Sequence, residues 1–208
     1  MGVNVWIDIE NIPQAAFFRP VIQWLENKGV NVEITIRKKK DILEFLELHG
    51  IKKVTAYGTP PGKSKIKKIT GLFKRSKDLY AFSRKARFSL ALSHTARGVV
   101  IPAYLSSIPL IVFYDYEYIF EWLFRKFATL IGLPEYVSEE YIQKLKRKRV
   151  NFFLYPGIKE GIYLHDFKPP SSPVLEGEVV VLIRPPATYA HYHTPETEFL
   201  FYKILERL

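Results

Sequence analysis

Three short polar clusters hold the side chains best suited to chemistry. The first is Asp8-x-x-Asn11-x-Pro13-Gln14, the second Ser93-His94-Thr95, the third Asp115-Tyr116-Glu117. Asp8 can orient a hydroxyl or a neighbouring base, and Asn11 can cap a helix whose first turn accepts Pro13. Capping alone also accounts for both residues. His94 as a neutral imidazole can take a proton, or bind a phosphate or a sugar hydroxyl. A histidine that only caps the following helix is the other account. Asp115 and Glu117 stand two apart. In an extended segment they face the same way and can hold sugar hydroxyls or a metal ion. An ordinary polar strand exit fits them as well.

Each cluster follows an apolar run that reads as a strand. Val3–Ile9 precedes the first, Phe88–Leu92 the second and Leu110–Phe113 the third, with Val30–Ile36 and Val54–Tyr57 as further strands. Helices are predicted between them. Apolar residues recur at helical spacing from Ala15 to Asn27 before Gly29, Asp41 to Leu48 precedes Gly50, and a third helix lies near Thr95–Leu105. Strands separated by such helices make parallel βαβ units, so the expected class is α/β with a doubly wound parallel sheet. Ligands of open parallel sheets lie outside the carboxyl ends of the strands. The three clusters are therefore expected to gather along one rim as a single pocket.

Beyond Glu117 an aromatic helix is expected to about Ile131, then a strand at Tyr136–Val137, a basic helix at Glu139–Lys148 and a strand at Asn151–Leu154. The composition then changes. Residues 155–178 are rich in Pro, Gly and Ser and read as an irregular linker. Residues 179–208 offer a strand at Val179–Ile183, a loop and a helix at Glu196–Leu208. About 30 residues cannot bury a core alone. The expected organisation is one domain over 1–154, a linker, and either a docked βα unit or the start of a second, incomplete domain.

The 208 residues carry 31 Lys and Arg against 21 Asp and Glu, a formal charge of +10. Such a surplus attracts nucleic acid, anionic lipid or phosphorylated small molecules. Its main source is Lys63–Arg87, with ten basic residues and one acidic, Asp78. Ile66, Ile69, Leu72, Phe73, Leu79 and Phe82 make this stretch an amphipathic helix, either a solvated face or a surface for anionic lipid or nucleic acid. The absence of cysteine excludes disulfides and thiolate chemistry. Glycine-rich phosphate loops and the nucleophile elbow are also absent. His191-x-His193 lacks a clear third ligand, which speaks against zinc. No apolar run is long enough to span a bilayer and the start lacks a signal-peptide pattern, so a cytoplasmic, membrane-peripheral location is expected. Abundant charge with few Met fits a thermophile's chain.

The stretches VWIDIENIPQAAFFRPVIQWLENKGVNVEITIR, LALSHTARGVVIPAYLSSIPLIVFYDYEY, YPGIKEGIYLHDFKP and VVVLIRPPATYAHY, in that order, resemble an archaeal and bacterial family, domain-of-unknown-function family 354. That family is similar to two-domain GT-B glycosyltransferases and to UDP-N-acetylglucosamine 2-epimerase. The resemblance implies a Rossmann-like, acceptor-side amino-terminal domain and the beginning of a donor-side domain. It implies a nucleotide-sugar, a UDP-sugar, as substrate rather than a permanently bound cofactor. The partner would be a glycan or lipid-linked acceptor. Asp8, Asn11, His94, Asp115 and Glu117 match the family's polar positions, Gly157 its hinge glycine and Arg184 its Arg-Pro turn. The family commonly has a histidine after the proline; here Gln14 stands there, and an imidazole base at that point is lost. Thr95 joins Gln14 as a candidate substrate contact. His94 or Asp8 would serve as base, and Arg184 would offset a leaving diphosphate. A strand ending in Asp-x-x-Asn also resembles NYN/PIN-like nucleases. There acids at strand ends hold divalent metal, and the positive charge would serve RNA.

Overall fold

The computed structural model describes residues 2–60, 65–115, 122–165, 167–169, 181–186 and 194–207. Seven strands pair in parallel: β1 (Asn4–Ile9), β2 (Asn31–Arg37), β3 (Val54–Tyr57), β4 (Leu90–His94), β5 (Leu110–Phe113), β6 (Leu130–Pro134) and β7 (Phe152–Tyr155). The central strands of the sheet are short, largely apolar runs covered on both faces, and the edge strands β3 and β7 are more exposed. The strand order is β3-β2-β1-β4-β5-β6-β7. Chain order reverses between β1 and β4, the switch point of a Rossmann-like doubly wound sheet. Across it Asp8 stands opposite Ser93.

The connections are α1 (Ile12–Asn27), α2 (Lys40–Leu48), α3 (Lys65–Ser83), α4 (Val100–Leu105), α5 (Trp122–Phe127) and α6 (Glu139–Arg147). Asn11 starts α1 as foreseen: its side chain accepts from the Gln14 amide at 3.0 Å, and Pro13 lies in the first turn, where a missing N–H costs nothing. Alternate strand residues point to opposite faces, and the core divides accordingly. Val5, Ile7, Ile9, Ile34, Ile36 and Leu92 pack with Phe17, Phe18 and Ile22 of α1 and with Ile42 and Leu46 of α2. Trp6, Ala91, Val112, Ile131 and Leu133 pack on the other face with Leu79 and Phe82 of α3 and with residues of α4, α5 and α6. Trp6 is fully buried and its indole N–H donates to Thr35 Oγ1 at 2.8 Å, so its one polar atom is satisfied inside the core.

The structure departs from the sequence expectations in several places within this unit. The helix expected to reach Ile131 ends at Phe127, and Leu130–Pro134 forms β6 instead of a strand at Tyr136–Val137. A run as short as LIGLP has no period by which strand can be told from helix. The helix expected over Thr95–Leu105 is only Val100–Leu105, because Thr95 takes a left-handed backbone, φ 58°. Within the expected linker, Lys159–Leu164 forms a helix, α7, that packs against α1.

The chain separates into two compact units, 1–167 and 168–208. In the second, residues 181–186 have no regular structure, so residues 181–183 are not the expected strand; 179–180 lie outside the described residues. Its helix α8 (Pro195–Leu205) begins with a capping box between Thr194 and Thr197. No helix of the described residues is long and apolar enough to cross a membrane.

Candidate functional site

The first two polar clusters, and Asp115 of the third, do reach the carboxyl ends of β1, β4 and β5, but strand alternation divides them between two faces. Asp8 has the parity of Trp6 and points to the α3 side. His94 has the parity of Leu92 and points to the α1 side, its ring 4.9 Å from that of Phe17. One pocket combining Asp8 with His94 and Asp115 therefore does not form. The expected ends of β1 and β5 agree with the structure, but the strand expected over Phe88–Leu92 is β4, Leu90–His94, so Ser93 and His94 belong to the strand itself and take opposite faces by its alternation.

On the α3 side Asp8 is the centre of a buried ionic network. Its Oδ2 accepts from Arg75 Nη1 at 2.9 Å and its Oδ1 from Arg75 Nη2 at 2.7 Å. Thr35 Oγ1 donates to the same Oδ1 at 2.6 Å. Arg75 Nη1 also reaches Glu10 Oε1 at 3.0 Å, and Arg37 Nη2 meets that oxygen at 2.9 Å. Arg75 Nε donates to the Tyr57 carbonyl at 3.2 Å. Asp8 and Arg75 have no exposed side-chain surface. Burial alone would pull the Arg75 guanidinium down; the Asp8 and Glu10 carboxylates outweigh it and hold the group above its ordinary value. Two glycines make room for it. A Cβ on Gly98 would lie 2.4 Å from Arg75 Nη1, and one on Gly58, which has φ +69°, would lie 3.0 Å from the Arg75 side chain. With both oxygens taken, Asp8 ties the sheet to α3 rather than facing a ligand.

On the α1 side the side chains are less satisfied. His94 is 6% exposed, and its Nε2 is buried with no hydrogen-bond partner. Burial lowers its pKa to about 4; the nearby Asp115 carboxylate opposes that shift and the Lys159 ammonium adds to it. The imidazole is thus neutral at physiological pH. Asp115, just beyond β5, is ion-paired with Lys159 of α7. Burial would lower the Lys159 pKa, but the hydrogen bond and charge of Asp115 hold it above the ordinary value. Tyr155, at the end of β7, has a ring 6.5 Å from that of Phe113 and a buried hydroxyl with no partner. Burial, together with Asp115 and Glu160, raises that hydroxyl to about 12. A cavity of about 270 Å³ opens beside this group, lined by Asp115, Pro134, Tyr136, Val137, Ile158, Lys159 and Glu160. A neutral base, an ion pair and an undissociated phenol are the equipment for binding hydroxyls and moving one proton.

The remaining candidates fall around this frame. Gln14 is 3% exposed and bridges the switch point: its Oε1 accepts from the Glu10 amide at 2.6 Å and its Nε2 donates to Thr95 Oγ1 at 3.4 Å. Thr95 Oγ1 in turn donates to the His94 carbonyl at 2.7 Å. Asn11 is occupied as the helix cap. Gly157 has φ +77°, a turn that favours glycine, and its N–H donates to Glu135 Oε1 at 3.0 Å. Arg184 is exposed in the second unit. Glu117 lies outside the described residues, as do His191 and His193. Among the described residues no three His, Asp or Glu side chains are grouped to hold a metal ion.

Sequence reasoning missed Arg75, Glu10, Arg37, Lys159 and Tyr155. Arg75 alone left a trace. It occupies the stripe of Leu79 and Phe82, four and seven residues on, and so shares the buried side of α3. Lys159 and Tyr155 reach the site only through the crossovers that add β7 at the sheet edge, beyond β6, and bring α7 against α1.

Solved structures share this fold. UDP-N-acetylglucosamine 2-epimerase from Rickettsia bellii matches with TM-score 0.60 at 11% identity, over 79% of this chain and 47% of that one. The epimerase from Neisseria meningitidis, solved with bound UDP-GlcNAc, matches with TM-score 0.60 at 16% identity, over 76% and 47%. MurG of Acinetobacter baumannii matches with TM-score 0.50 at 10% identity, over 64% and 41%. This chain thus spans less than half the length of each. No curated protein sequence matches it. The model of one family covers residues 3–169, and the chain belongs to that family, the proteins of unknown function DUF354.

Proposed function

We propose that this chain is the acceptor-side half of a GT-B-like nucleotide-sugar enzyme, of glycosyltransferase or sugar-epimerase type. His94 is the base: in transfer it takes the proton of the acceptor hydroxyl as that oxygen bonds to the sugar and the diphosphate leaves. The observation that carries this reading is the buried, unpartnered Nε2 of a neutral imidazole at the carboxyl end of β4. An imidazole held neutral is a ready acceptor. Asp115 lies near enough to favour the imidazolium once it forms. Tyr155 and Lys159 supply donors for sugar hydroxyls, and Gln14 and Thr95 set the backbone from which His94 projects. A UDP-sugar is the substrate class because the Neisseria meningitidis relative in fold was solved with UDP-GlcNAc. A metal-dependent nuclease fits less well, since Asp8 and Asp115 lie on opposite faces of the sheet and Asp8 is already paired.

The test is a titration of the chain with UDP-N-acetylglucosamine, followed by NMR of the histidine ring carbons, beside turnover of the same compound. The His94 signals are expected to shift, and His94→Gln is expected to lower turnover by about 100-fold or more. Manganese-dependent cleavage of single-stranded RNA, with no response to the UDP-sugar, overturns the reading.

A further inference from the structure

A second feature lies far from His94 in chemical character. Helix α3 exposes Ile66 (73%), Ile69 (56%) and Phe73 (73%). Spacings of three and four place them on one stripe, on the side away from the buried Leu79 and Phe82. The stripe borders a groove between α3, α4 and α5. Leu72, Phe73, Ile101, Trp122, Leu123 and Phe127 give it an apolar wall and a volume of about 470 Å³, and Arg97 and Lys126 stand in its lining. Lys67, Lys68, Lys74 and Lys77 of α3 are exposed as well. Large apolar side chains exposed together mark a surface that something covers.

We propose that this face docks on an anionic phospholipid membrane. Ile66, Ile69, Phe73 and Trp122 enter the headgroup boundary, and the groove receives an acyl chain. Charge complementarity decides for this occupant. The rim is basic, and Asp78 is the only acid within α3. That combination, an apolar stripe edged by lysines, suits a negative lipid surface. A protein partner of ordinary composition would call for mixed charge at the rim. Arg75 of the basic run is spent in the core, so the exposed lysines of α3 carry the charge offered to the lipid. This docking stands or falls independently of the role given to His94.

The experiment is co-sedimentation of the chain with vesicles of phosphatidylglycerol and phosphatidylcholine, against phosphatidylcholine alone. Binding is expected to be at least about tenfold stronger to the anionic vesicles and to weaken as salt is raised. A blue shift of Trp122 emission should accompany it, read in a Trp24→Phe background because Trp24 is also exposed. Phe73→Glu is expected to reduce binding by about tenfold, and Lys67→Gln with Lys74→Gln by a similar factor. These side chains are exposed, so an unchanged melting temperature separates lost docking from lost fold. Equal binding to both vesicle types, binding indifferent to Phe73→Glu, or a dimer that Phe73→Glu dissociates overturns the proposal.

Discussion

His94 illustrates what burial does to a single titratable group. Its pKa of about 4 lies below its ordinary value of 6.5. In the unfolded chain it takes up a proton near pH 6.5, while in the folded chain it stays neutral until about pH 4. Between those values the unfolded state binds more protons, so stability falls as the pH falls through that window and is restored above it. The full effect is roughly 3 kcal/mol. Urea midpoints for the wild type and His94→Gln, taken at pH 7.5 and 4.5, check this. The wild type is expected to lose more stability on acidification than the variant, and equal losses would remove the premise of a buried, neutral base. The sequence marked His94 as a candidate by its place after a strand. It could not show that the ring packs on Phe17, because that contact joins residues 77 positions apart in the chain.

At the scale of an element, α3 is the clearest case of a pattern that reads two ways. Its lysines suggested a solvated or docking helix, and for Lys67, Lys68, Lys74 and Lys77 exposure is what the structure shows. Arg75 has the opposite fate. It turns inward beside Leu79 and becomes the partner of Asp8. A buried ion pair is costly to break and much less costly to replace whole. Arg75→Met and Asp8→Leu are each expected to destabilise the chain by about 3–5 kcal/mol, and the double variant by less than either alone. Chemical denaturation of the three proteins measures this. Additive losses would show that the two side chains act separately. The sequence indicated neither the pairing nor the two glycines that admit the guanidinium, since Gly58 and Gly98 flank α3 at distant points in the chain.

At the scale of the whole molecule, both hydrophobic clusters draw their buried residues from between Val5 and Leu145. Among the described residues α8 buries none. A chain cut after Phe167 is therefore expected to keep a cooperative thermal transition within a few degrees of the full chain. Calorimetry decides: a broad or absent transition would mean that residues 168–208 complete the core. The alternation of apolar strands with helical stripes, and the stops at Gly29 and Gly50, determined the parallel doubly wound sheet from sequence alone. Those signals are local, carried by neighbours within one turn or one pleat. The division of the polar rim was decided only by tertiary structure. Which face Asp8 and His94 take depends on strand register across the switch point and on the helices that close over each side. Register is set by contacts between residues far apart in the chain, and a shift of one residue would exchange the two faces.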